Sequence, residues 1–243
     1  TSPDSSTQSS SQSTDKADGG HSSNGAGTDN ANGTGGVGGT DGADGNGQDT
    51  VTDNPLKIVE SGWSANQQGY VHYAFALRNT STTQQVQYPQ ITITGRAKDG
   101  SIVFSQTQTL IMAFPNQTVY NAGQAGEGTA PATVDFVVLS PDTYNVTEAQ
   151  GTATFPISGT SKIDNRDGGT TFNGEVRAVA DGFKPSDGQQ IKISLVLRNA
   201  QNAIIYGDIA FVDWPGNGRS APFSITVYDL PKYASYDLYA QIG

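Results

Sequence analysis

The chain of 243 residues holds few side chains able to do covalent or metal chemistry, and their spacing decides how far each can be taken. It has two histidines, His21 and His72, and no cysteine. A Ser-His-Asp relay or a histidine metal site needs its members fixed on ordered backbone. His21 lies in a run rich in Gly, Asn and Asp, which leaves His72. That residue sits on an alternating strand at a phase turned away from its apolar neighbours, as does Lys192 in a second copy of the strand. Both are expected to be solvated strand residues, not a general base or an amine nucleophile. A lysine–asparagine isopeptide bond requires a buried lysine beside a carboxylic acid, and Lys57 and Lys192 are both expected at exposed positions. The glutamates Glu60, Glu127, Glu148 and Glu175 show no spacing that selects a glycosidase pair. The expectation is a protein without enzymatic activity, cofactor or metal.

Aromatic residues offer the one candidate binding surface. Trp214, Tyr228, Tyr233, Tyr236 and Tyr239 crowd the C-terminal part. Placing Tyr236 inward puts Leu238 and Ala240 on its face and turns Tyr239 outward. Trp214, Tyr228 and Tyr239 are therefore the candidate contacts of a sugar-stacking or protein-binding patch. Trp63 and Phe183 share one position of a repeat, which favours packing for that pair.

The elements that must carry these residues follow from a duplication. Val59-Glu60-Ser61-Gly62-Trp63 and the run from Tyr70 to Asn79 reappear 120 residues later as Val179-Ala180-Asp181-Gly182-Phe183 and the run from Gln190 to Asn199. Within the runs Val71, Tyr73, Phe75 and Leu77 match Ile191, Ile193, Leu195 and Leu197 at the strand period of two. One face is expected to be core, the other wet or lightly covered. Gly62 and Gly182 are expected to end strands in turns of positive φ. Further β-rich runs at 86–96, 102–114, 117–121 and 132–139, with a hairpin signal at Lys98-Asp99-Gly100-Ser101 and no helical periodicity, predict antiparallel sandwiches. Residues 152–157 read as a last strand of the first half and 158–169 as the connection. Past Asn199, Pro115-Asn116 and Pro131 align with Pro215-Gly216 and Pro231 at a separation of 100, as if one hairpin were missing.

Residues 1–54 contain no Leu, Ile, Met, Phe, Tyr or Trp, so residues 1–53 are expected to be a disordered Gly/Ser/Asp-rich linker. Its Asp, Asn and Gly residues miss the ligand spacing of a calcium loop. Eight aspartates against Lys16 give this tail most of the net charge of −10. That acidity argues against nucleic acid and against direct adhesion to anionic lipid. No apolar run reaches the length of a membrane span. The expected organisation is all-β: linker 1–53, sandwich 54–158 and sandwich 159–243.

The strand ending in Arg198-Asn199, the segment Pro215 to Val227 with its Pro-Gly-Asn-Gly turn, and Tyr236-Asp237-Leu238-Tyr239-Ala240 together resemble the FxLYD-type immunoglobulin-like domains of bacterial surface proteins. Tyr236 stands where the motif has phenylalanine, and Ala240 where it has aspartate. The resemblance implies tandem immunoglobulin-like sandwiches in an exported protein of the bacterial cell surface, held through a lipidated cysteine upstream of Thr1. It also implies a protein-interaction or stalk role, the partner being an envelope or extracellular protein. A carbohydrate-binding module is the alternative.

Overall fold

The computed structural model describes residues 54–243; the linker expected at 1–53 lies outside them. The described chain is all-β, with one 3-10 turn at Thr143–Asn145. In the first half the strands are β1 (Leu56–Ala65), β2 (Val71–Asn79), β3 (Gln84–Gln87), β4 (Gln90–Arg96), β5 (Ile102–Thr109), β6 (Met112–Ala113), β7 (Thr118–Ala125), β8 (Thr133–Val138) and β9 (Val146–Glu148). The second half holds β10 (Thr152–Thr154), β11 (Ile157–Asp164), β12 (Thr170–Arg177), β13 (Val179–Asp181), β14 (Gln190–Arg198), β15 (Ile204–Asp213), β16 (Ser220–Val227) and β17 (Ser235–Ile242).

Each half is an antiparallel sandwich. Sheet β1-β2-β7 faces sheet β5-β4-β8 across a core of Tyr73, Phe75, Leu77, Ile91, Ile93 and Phe104. Sheet β15-β14-β17 faces β11-β12-β16 across Phe172, Val176, Ile193, Leu195, Leu197 and Ile225. The alternation seen in the repeated run sets these cores: Phe75 and Leu195 are both fully buried, as their shared phase requires.

Several local expectations are corrected. Residues 86–96 are two strands broken at Tyr88-Pro89, because proline cannot donate to the ladder. In the hairpin joining β4 to β5 only Gly100 has positive φ, at 87°, and the Asp99 carboxylate accepts from the Ser101 N–H. That is a type I turn closed by a glycine, not a type I′ pair. Residues 152–154 pair with β13 in the second half instead of closing the first, and Ile157–Asp164 is an edge strand against β12, so much of the expected connection is sheet. The proline alignment also fails. The first pair of anchors precedes β7, which pairs with β2, whereas the second precedes β16, which lies in the sheet opposite β14. It is β17 that pairs with β14 as β7 pairs with β2. Prolines mark turns in both halves without marking sheet membership.

The largest correction concerns the face expected to be wet. The outward face of sheet β1-β2-β7 packs on the outward face of sheet β15-β14-β17, with β15 lying across β1 and β2 and β14 across β7, around Ala74, Ala122, Val196 and Ile204. Small residues let the backbones approach. A methyl group at Gly62 would collide with the Ile204 carbonyl oxygen, and one at Gly207 with the Tyr73 carbonyl oxygen. Gly62 therefore lies inside β1 and serves close approach, while Gly182, at φ 73°, is the turn glycine expected. The result is four stacked layers, with an apolar interior in each sandwich and a mixed polar and apolar one between them.

Candidate functional site

The seam between the two sandwiches gathers three of the polar side chains singled out above, Glu60, His72 and Lys192. Arg198 is buried, and it donates through Nη1 and Nη2 to the two oxygens of Glu60, at 2.8 and 2.9 Å. Its Nε donates to Asp237 Oδ2 at 2.7 Å. Such a planar bidentate pairing is the strong form of the interaction. The Arg198 guanidinium holds the Glu60 carboxyl below its usual range, and Glu60 in turn raises the arginine. Tyr120 donates its hydroxyl to Glu60 Oε1 at 2.6 Å and stacks on Tyr239 with ring centroids 3.7 Å apart. Burial, then the Glu60 carboxylate, pushes the Tyr120 hydroxyl up.

His72 and Lys192 lie along the same seam, and neither is solvated as expected. His72 stacks on Tyr206 at 4.7 Å with Nδ1 3.9 Å from Asp208 Oδ2. Lys192 is 7% exposed; its Nζ donates to Asn121 Oδ1 at 2.7 Å, and Gln241 Nε2 donates to the same oxygen at 2.9 Å. Burial lowers the lysine to about 8. Lys57 is exposed as expected. For Lys192 the expectation fails because phase along a strand tells which way a side chain turns, not what covers it.

The three aromatic candidates are not brought together. Trp214 packs edge-on against Phe155 at 5.7 Å and beside Phe183 at 6.1 Å. Tyr239 turns away from its own core, as its phase requires, but onto Tyr120 of the other half. Only Tyr228 is well exposed, at 56%, and its hydroxyl donates to Asp167 Oδ2 at 3.1 Å. Tyr236, Leu238 and Ala240 share the core face, as alternation predicts.

The concave surface lies elsewhere. A depression of about 580 Å³ is lined by Gln85, Gln87, Tyr88 and Met112 from the first half and by Phe183 and Gln189 from the second. Tyr88 also walls a neighbouring hollow of about 290 Å³ with Gln90, Tyr144 and Asn145. Pro141 separates that hollow from a third of about 210 Å³ bordered by Gln84 and Thr143. Tyr88 and Tyr144 are 53% and 75% exposed. Tyr88 holds φ at 51°, a left-handed conformation that a bulky side chain adopts only under constraint, with its N–H donating to the Ile111 carbonyl at 3.0 Å. The Tyr144 hydroxyl donates to Asp142 Oδ2 at 2.8 Å, which fixes the ring on its 3-10 turn. Reading 86–96 as one strand hid this site. The signal was Pro89 inside a β-rich run flanked by Gln84, Gln85, Gln87 and Gln90.

Among the described residues no group of three or more His, Cys, Asp or Glu side chains could hold a metal ion. Compared with known proteins, the chain matches no family model and no curated relative.

Proposed function

We propose that this chain is a non-enzymatic binding module of an exported bacterial surface protein. On this reading the stacked sandwiches form a rigid head, and the Gly/Ser/Asp-rich residues 1–53 connect it to a lipid anchor upstream. The observation that carries the reading is the seam. Arg198, itself buried, ties the halves by pairing with the partly exposed carboxylates of Glu60 and Asp237 beside stacked Tyr120 and Tyr239, so the head presents one continuous surface to a partner. A fixed relative orientation removes the ordering cost that two loosely strung domains would incur on binding. The resemblance of the C-terminal motif to FxLYD-type immunoglobulin-like domains supports the same reading, as does the role of Asp237 and Tyr239 in the seam. The partner class is an envelope or extracellular protein or polymer.

Fractionation and protease shaving of intact source cells test it. The expected result is recovery in the envelope fraction and cleavage by external protease without lysis. Recovery in the cytosol, protected from protease, would overturn the proposal.

A further inference from the structure

We propose that the trough running past Tyr88 and Tyr144 binds a linear, uncharged polysaccharide chain; this rests on the binding-module reading and names its ligand class. Three observations point the same way. First, the adjoining hollows share walls, Tyr88 between the first two and Pro141 between the next two, which gives an elongated site suited to successive units of one chain. Second, its exposed rings are tyrosines, Tyr88 and Tyr144, each with an apolar face for the C–H side of a sugar and a hydroxyl at the rim. Third, the polar lining is dominated by neutral amides: Gln85, Gln87, Gln90, Gln189 and Asn145. An amide carries both donors and acceptors, which suits sugar hydroxyls that do both at once. Two ion-bearing groups border the hollows, Lys184 in the first and Asp142 in the second, and the Asp142 carboxylate accepts from Tyr144. A lining with one charge of each sign offers no counter-field to an acidic or a basic chain.

The geometry is also prepared in advance. Gln189 is held by its Nε2 donating to the Gly243 carbonyl at 2.8 Å, and Gln85 by donating to Thr147 Oγ1 at 3.4 Å. The left-handed backbone of Tyr88, held by its N–H on the Ile111 carbonyl and by the Leu110 N–H on the Pro89 carbonyl, fixes its ring on the wall between hollows.

The site lends itself to a variant that separates binding from folding. Glycine accepts φ near 51° without strain, so Tyr88→Gly removes the ring while relieving the backbone. Calorimetric titration of the full chain with short soluble fragments of neutral β-glucan, mannan and xylan, and with uronic-acid oligomers as the charged control, gives the test. Expected is binding of at least one neutral series, weakened roughly tenfold or more by Tyr88→Gly and by Tyr144→Ala, with Tyr88→Phe unchanged. The Tyr88→Gly chain should melt within a few degrees of the parent. No binding by any neutral fragment would overturn the inference, and so would binding indifferent to both tyrosines or preference for uronic acids. Capture of an envelope protein at the trough with no glycan binding would overturn it too. None of those outcomes moves the protein out of the envelope fraction, so the ligand class can fail while the module reading stands.

Discussion

Lys192 offers the most quantitative test of the seam. Its ammonium is almost wholly covered, its bonded partner is a neutral amide oxygen of Asn121, and the Phe211 ring lies 5.9 Å from Nζ. Burial takes its pKa from 10.5 to about 8. A depression of that size corresponds to about 3 kcal/mol of penalty on the charged form in the folded state. Below pH 8 both states carry the proton and the whole penalty acts against folding. Between pH 8 and 10.5 the unfolded chain binds more protons than the folded one, so stability rises with pH in that window. Tyr73 acts in the opposite sense at higher pH. Burial pushes it from 10.0 to about 12, so its contribution is complete below pH 10 and is lost as the unfolded chain ionises above that. Lys192 and Tyr73 thus pull in opposite directions, the first adding stability as pH rises from 8 toward 10 and the second removing it above pH 10. Lys192→Met keeps the stem and removes the charge, leaving Gln241 Nε2 on the Asn121 oxygen. Urea melts at pH 7, 8, 9 and 10 should show the variant about 2 to 3 kcal/mol more stable than the parent at pH 7, the difference shrinking by pH 10. A variant less stable at pH 7, or two chains with the same slope between pH 8 and 10, would refute a buried, costly ammonium.

Arg198→Ala should cost about 1 to 3 kcal/mol, because it removes a buried guanidinium and leaves the partly hydrated Glu60 and Asp237 carboxylates without their partner, and Glu60→Gln in the same chain should recover part of that loss in denaturant melts. Gly62→Ala forces a methyl group onto the Ile204 carbonyl; separating the sheets should lower stability by about 1 to 3 kcal/mol, whereas Gly100→Ala on the open hairpin meets no neighbouring atom and should cost only its positive φ. Phe75→Ala and Leu195→Ala, at matched and fully buried positions, should each cost about 3 kcal/mol by thermal or denaturant melt, and equality with the parent for either would contradict the repeat register.

The strand period carried much of the fold, since Val71, Tyr73, Phe75 and Leu77 and their second-half partners needed only alternation to find their cores. The same period was silent about what lies over the other face. His72, Ala74, Ala76 and Arg78 read as a mixed surface because alanine is equally at home under a neighbouring sheet or in water. Pairing of Glu60 with Arg198, 138 residues apart, has no local signature at all. The aromatic candidates show a related limit. Tyr239 was correctly turned out of its own core, yet outward meant inward to the molecule, and the exposed rings that border a trough stand on a broken strand and a 3-10 turn, where period-two reasoning gives no direction.

The seam joins unlike surfaces, since β15 lies across β1, β2 and β7 while β14 and β17 meet chiefly β7. A two-fold pairing would require each contact to recur with the two copies exchanged, β2 on β17 as well as β7 on β14. The duplicated runs therefore meet in a lopsided embrace, and each copy is free to keep its own residues on the covered face: Glu60 answers Arg198 across the seam, while Arg78 turns to Thr118 of its own half.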